Sequence, residues 1–474
     1  MLFGKSLKEI ISLVEEKKVT SKEVFDYFAK RSEKYNKKLN AYTTLISLEE
    51  ESSHYPDIRH SGLDPESPEM QGAPIAIKDN FCTKGIRTTA SAKVLDEFIP
   101  PYESTVTTKL RKAGAIFIGK TNMDAWAHGS STETSDYGPT KNPWDVTRAP
   151  GGSSGGSAAA VSAYLAPAAI GSETAGSIRQ PASWCGIVGI KPTYGRVSRY
   201  GVIAMGSSFD CPGPMTQNVE DAAYLLKHIA GKDPFDATSS EEPVPDYEVQ
   251  IKEKKTYTIG VPEEYFKGLD PEVEKKVNES LQIFEKMGHK LKKVSLLSPD
   301  FSISVYTILQ RAEVSSNLGR YDGIRYGNDR TAFGAEAKRR MMLGTYTLSH
   351  GYYDAFYKKA QKIKTLIIED MQKVFKEVDL IVAAPTPITA LPLGEFEKYP
   401  FFGETMDVLN EAAAVAGTPA MSIPCGLDSK GLPVGLQIMG NYFDEGTILN
   451  AAYQFEKETN YFDVISKGQE LYKD

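Results

Sequence analysis

The sequence predicts an α/β fold, a mostly parallel sheet with helices on both faces, and three observations predict it. Strand and helix patterns alternate along the chain: Ser104 to Lys112 reads as a helix, Gly114 as its C-cap and Ala115 to Gly119 as a strand. The same rhythm returns from Thr256 to Leu296. Asp379 to Ala384 and Ala420 to Pro424 are short apolar runs with the composition of core strands. Alternating units of this kind bury a parallel sheet between helical layers.

Composition sets the limits. The chain has 474 residues, 41% of them hydrophobic and 25% charged, so it can bury a large core without staples. No window approaches the ~18 unbroken apolar residues of a membrane span. The opening Met1-Leu2-Phe3-Gly4-Lys5-Ser6 lacks the basic and apolar regions of a secretory signal, so the expectation is a cytoplasmic protein with no membrane partner. A net charge of −7 argues against this chain holding nucleic acid by itself. Cys82, Cys185, Cys211 and Cys425 stand singly and the six histidines are dispersed, so no metal site is expected and the cysteines read as buried small hydrophobes.

In chain order, Ser6 to Glu9 and Thr20 to Glu23 are capping boxes, each followed by apolar residues at helical spacing. Residues 1–65 therefore read as a helical layer packed on the rest, with a strand from Leu39 to Ile46 and a surface connection from Ser52 to Gln71. Gly72 to Asn80 is an apolar strand ending on Lys78. Lys232 to Val249, rich in Asp, Glu, Ser and Pro, reads as an exposed connection. Thr256 to Val261 is a strand, Asp270-Pro271 starts a helix that presents Val273, Val277, Leu281 and Phe284 and ends at Gly288, and Leu291 to Leu296 is the next strand.

The chemistry concentrates between Ala149 and Pro192, a stretch poor in charge and rich in Gly, Ser and Ala, where backbone can approach a ligand closely. Gly151 to Ser157 is a loop leading into a helix that begins near Gly156 and continues through Val161. It contains no nucleotide-binding glycine motif. Gly152-Ser153-Ser154-Gly155-Gly156 formally matches a hydrolase elbow, but a turn-like segment precedes it instead of a strand. Pro167 to Ser172 reads as a buried strand and Glu173 to Ser177 as the tight turn after it. The N–H groups of Thr174, Ala175, Gly176 and Ser177 could converge there on a carbonyl oxygen, each worth ~3 to 4 kcal/mol in a transition state. Ser177 is then the nucleophile, and it needs a base. Lys78, at the end of an apolar strand, invites a functional reading, but on this segment alone the stronger reading is a lysine that snorkels to the surface. A lysine serves as base only when neutral, and lowering one from about 10.4 to about 7 takes about 4 to 5 kcal/mol, which burial supplies.

A lysine ending Ala76-Ile77-Lys78-Asp79-Asn80, then Gly151-Gly152-Ser153-Ser154-Gly155-Gly156-Ser157, then a serine in the Gly171 to Pro181 segment together resemble the amidase signature family. The resemblance implies Ser177 as nucleophile, Ser153 as a bridging serine with a cis peptide before it, and Lys78 as base. Ser154 and Arg179 are expected to support the loops. The implied architecture is a single α/β/α domain over 1–474 around a large mixed sheet. Within the family, Lys191 to Gly201, Asp322 to Gly327, Lys338 to Thr345 and Gly351 to Asp354 resemble the A subunits of heterotrimeric tRNA-dependent amidotransferases. That likeness implies glutamine as substrate, gripped by Arg340, Asp407 and Tyr306. It also implies B and C partner subunits, a mischarged tRNA reached through the partner, ATP and Mg in the partner, and no cofactor in this chain.

Several positions depart from the usual pattern. Glu173 and Ala175 stand where Asp and Gly are usual, and a methyl at Ala175 would crowd the turn if that residue needed a positive φ. Ala125-Trp126-Ala127-His128 and Cys211-Pro212 also differ, and the link between Tyr326 and Lys338 is short. A free-standing amidase and an inactive scaffold protein are therefore the two competing readings.

Overall fold

The computed structural model describes residues 2–54, 69–321, 327–399, 405–459, 464 and 468–473. Eleven strands form one sheet: β1 Tyr42–Leu45, β2 Pro74–Lys78, β3 Ile116–Thr121, β4 Ala168–Glu173, β5 Val188–Lys191, β6 Cys211–Thr216, β7 Thr258–Pro262, β8 Lys290–Val294, β9 Leu380–Ala383, β10 Ala420–Leu427 and β11 Pro433–Met439. Their spatial order is β1-β3-β2-β4-β6-β5-β10-β11-β9-β7-β8. The sheet is mixed as expected, but mostly parallel only in its two flanks. β3-β2-β4 and β8-β7-β9 are parallel, whereas the centre from β4 through β11 is antiparallel.

Alternation along each strand shows why both faces are covered. In β2, Ile75 and Ile77 enter one apolar cluster and Ala76 the other, and in β4 Ala168 and Ile170 oppose Ala169 in the same way. The second cluster packs the helix Gly155–Ser162 and the N-terminal helices, through Val24, Phe25 and Phe28. Both capping boxes form, at Ser6 with Glu9 and at Thr20 with Glu23. Leu7 lies in the first cluster, and its N–H donates to Asp221 at 2.8 Å, so the N-terminal layer is tied into the core.

Other expectations are adjusted. The first strand is shorter than Leu39 to Ile46 because Asn40, at φ 52, ends the preceding helix in the left-handed region. Ser52–His54 continue a helix, Leu48–His54, and residues 55–68 of the expected connection lie outside the described residues. Lys232 to Val249 is not exposed throughout: Asp233, Asp236 and Ser239 are buried and hydrogen-bonded to one another and to Ser198 and Arg199. β6 has no counterpart in the sequence reading, since its Pro212 and Pro214 argue against a central strand. All four cysteines are buried and free.

Candidate active site

Lys78 ends β2 in register with Thr121 on β3. Thr121 Oγ1 meets Ser157 Oγ of the helix Gly155–Ser162 at 2.7 Å, so this end of the strand pair faces the helix start. Lys78 is wholly buried, and its Nζ donates to Ser153 Oγ at 2.8 Å, Ser154 Oγ at 2.8 Å and the Ser172 carbonyl at 2.9 Å. No carboxylate among the described residues touches it. Burial pushes the ammonium down to about 7, against the upward pull of Asp124, Asp210 and Glu173 at longer range.

The peptide between Gly152 and Ser153 is cis, as the family resemblance implies. Gly152 is required here because a Cβ would lie 2.1 Å from Asp124 Oδ2. Ser154 Oγ donates its own proton to the Ser172 carbonyl at 3.0 Å, and the Ser154 N–H donates to the Ser177 carbonyl at 3.1 Å. Ser177 is thus fastened to the site by its backbone. Its hydroxyl makes no hydrogen bond among the described residues, so the direct link from Ser153 to Ser177 expected of a bridging serine is not formed in this state.

The turn after β4 leaves the N–H groups of Thr174, Ala175, Gly176 and Ser177 without an acceptor among the described residues. Ala175 does not take a positive φ, so its methyl does not crowd the turn and joins an apolar cluster with Met205, Phe209 and Tyr306. Glu173 is equally well accommodated. Its carboxylate accepts the N–H groups of Ile178 at 3.1 Å and Arg179 at 3.2 Å, and it pairs with the Arg179 guanidinium. Arg179 also reaches Gln437 on β11, the Ala175 carbonyl at 2.7 Å and the Asn410 carbonyl at 2.8 Å. The turn is therefore clamped from both sides.

The residues expected to grip substrate are spread over a longer wall. Asp407 lies against the turn, since a Cβ on Gly176 would come 2.2 Å from its Oδ1. Ser130 donates to its other oxygen. Tyr306, on the helix Pro299–Asn317, is buried edge-on against Phe209. Arg340, on the helix Ala335–Thr347, is buried with its Nε on Glu336 at 2.6 Å. It lines a cavity of about 560 Å³, together with Gly129 and Ser131 on either side of Ser130. Lys78, Ser153, Ser177, Asp407 and Tyr306 are not in that lining, so of the residues expected at the site the cavity includes Arg340 alone. Residues 322–326, part of the resemblance, lie outside the described residues.

Three buried residues at the site escaped the sequence reading. Asp124 gathers the N–H groups of Ser131, Thr132 and Thr134, and Asp210, pushed up to about 6 by burial, accepts from Thr174 Oγ1 at 2.9 Å and from the N–H groups of Met205 and Gly206. His128 lines the cavity. Asp124 and His128 stand in the run from Asn122 to His128 that departs from the usual pattern, a departure that gave neither a role; an acidic residue within an otherwise neutral, turn-rich stretch is the faint signal that Asp124 and Asp210 share.

A buried lysine bonded to two serine hydroxyls, beside a turn with its N–H groups unused, has the parts of a serine amidohydrolase. The chain belongs to the amidase family, whose model matches residues 23–449. It is 48% identical to the A subunit of the glutamyl-tRNA(Gln) amidotransferase of Persephonella marina, over 96% of this chain and 97% of that protein. The corresponding protein of Halothermothrix orenii is also 48% identical, over 97% and 98%. Among solved structures, the A subunit of the glutamyl-tRNA(Gln) amidotransferase of Thermotoga maritima superposes with a TM-score of 0.82 at 37% identity, covering 96% of this chain and 94% of that one.

Proposed function

We propose that this chain, as one amidase domain, hydrolyses glutamine as the A subunit of a tRNA-dependent amidotransferase. The observation that carries the chemistry is Lys78, wholly buried with hydroxyl and carbonyl partners and no carboxylate in contact among the described residues. Such a lysine is substantially neutral near pH 7 and can take a proton. The near-full-length likeness to A subunits supports glutamine as the substrate.

Glutamine binds with its carboxylate on Arg340, its ammonium on Asp407 and its stem along Tyr306. Ser177 Oγ attacks the side-chain amide carbon while its proton moves to Ser153, whose own proton passes to Lys78. The developing oxyanion takes the N–H groups of Thr174 to Ser177, already free of other acceptors. Lys78, returning the proton through Ser153, protonates the leaving nitrogen; ammonia departs and a glutamyl ester remains on Ser177. Water, activated by the reverse relay, releases glutamate. Ser154 and Arg179 hold the loops. Ammonia then serves the B and C subunits, where ATP, Mg and the mischarged Glu-tRNA(Gln) or Asp-tRNA(Asn) are bound.

The test is glutamine-dependent ammonia release by the chain alone and after mixing with its host's B and C subunits, ATP and mischarged tRNA. The expected result is release that rises strongly on assembly. Brisk turnover of simple amides, indifferent to the other subunits, would instead make it a free amidase, and an absence of any turnover in the assembled mixture would make it a scaffold.

A further inference from the structure

His128 sits on the loop that winds around the Asp124 carboxylate, which holds the N–H groups of Thr132 at 2.8 Å and Ser131 at 3.3 Å. Three non-glycine residues of this loop, Trp126, Ala127 and Thr132, take φ of 60°, 63° and 64°. Left-handed backbone at such residues persists where surrounding contacts over-determine it, and it gathers at ligand sites. The Trp126 ring stacks on Phe333 at 5.3 Å and 15°, just ahead of the helix that carries Arg340. Loop and helix are thereby fixed relative to one another.

His128 is wholly buried, and neither ring nitrogen has a hydrogen-bond partner among the described residues. Leaving polar groups so is costly, and the cost is recovered only if something else supplies the partner. The residue lines the 560 Å³ cavity with Ser131, Glu336, Arg339 and Arg340. Burial and the nearby guanidinium groups of Arg340, Arg311 and Arg339 hold the imidazole well below its ordinary range, so it is neutral, with one N–H to donate.

We propose that His128 is a specificity residue of this pocket, donating its ring N–H to the α-carboxylate of an amino-acid substrate that Arg340 also binds. The inference rests on the glutaminase reading above. It adds a directional donor to the charge of Arg340, and it gives the buried ring a hydrogen-bond partner that none of the described residues supplies.

The test compares glutamine with 4-aminobutanamide, which is glutamine without its carboxylate, in the full-length chain and its variants, with thermal melts as a check on folding. H128M is expected to raise the KM for glutamine about tenfold with kcat within about twofold, the worth of one lost hydrogen bond. Its kcat/KM for 4-aminobutanamide should not change, and H128Q, which keeps a donor, should recover most of the loss. An unchanged glutamine KM in H128M, or equal losses on both substrates, overturns the role of His128 while R340A still separates the two substrates. If R340A also treats them alike, the pocket holds no carboxylate, and the glutaminase reading falls with this one. On the wild-type chain, independently of any variant, glutamate should move the ring ¹⁵N resonances of His128 and 4-aminobutanoate should not; equal responses overturn the proposal.

Discussion

Two lysines near the ends of neighbouring strands meet opposite fates. Lys78 on β2 and Lys120 on β3 are both wholly buried, and Lys120 pairs in register with Ile77, one step from Lys78. Successive residues of a strand point to opposite faces, so the two ammonium groups lie on opposite sides of the sheet. Lys120 has a carboxylate, Asp79, at 3.6 Å, and donates to the Phe81 carbonyl and Thr88 Oγ1. Among the described residues, Lys78 has only hydroxyls and a carbonyl. Burial lowers both, but only Lys120 has a contacting anion to oppose it. Burial alone does not make a base. Burial without a counter-ion is not sufficient either, since the buried Lys191 donates to the Pro192 carbonyl with no contacting carboxylate among the described residues; what sets Lys78 apart is its pair of serine hydroxyls.

The sharpest way to break this comparison is to remove each lysine in turn. Lys78→Ala is expected to cut glutamine hydrolysis by about four orders of magnitude, as loss of a member of a catalytic set does, with little change in unfolding midpoint. Ser177→Ala should do the same while added ammonia still supports amidation by the assembled enzyme; loss of both activities would count against the assignment. Lys120→Met should instead act on the fold, costing about 3 to 5 kcal/mol in denaturant titrations because Asp79 is left buried and uncompensated. If Asp79→Asn in the same chain recovers no stability, the ion-pair reading of Lys120 is wrong.

Smaller effects sharpen the contrast. The base must be neutral, so kcat/KM should fall about tenfold per pH unit below the Lys78 value of about 7 and level off above it. A flat profile from about pH 5 to 9 would leave Lys78 no different in kind from Lys120. Smallest of all, Ala175→Gly should lower stability by about 0.5 to 1 kcal/mol through backbone entropy and leave turnover within a few-fold, since the turn does not need positive φ there. A large gain in turnover would revive the view that Ala175 damages the site.

How much of this is legible in the sequence follows from how local each feature is. Ser177 is singled out by its own small-residue turn, whereas Ser153 and Lys78 are read through the resemblance to the amidase signature family that their short segments carry. Lys120 is not, because its character depends on Asp79 and Thr88, brought close by strand pairing. The surroundings of His128 and Asp124 are hidden for the same reason. The central antiparallel strands escape where Pro212 and Pro214 outvote burial, and the polar composition of 232–249 conceals that Asp233 and Asp236 go inside, where Ser198, Arg199 and Thr238 donate to them. Glu173 and Ala175 look damaging only until the turn geometry and the Arg179 pairing are known.

Arg179 links the turn after β4 to Gln437 and to the Asn410 carbonyl, groups that are translated more than two hundred residues later. On the ribosome, then, the nucleophile emerges long before the clamp that shapes its surroundings. If Lys78, Ser153 and Ser177 act as proposed, a nascent chain that already holds them is expected to hydrolyse nothing until β11 has cleared the exit tunnel. A chain stopped just before Asn410 should accordingly release no ammonia from glutamine, and partial synthesis would not drain the amino-acid pool that the next round of translation needs.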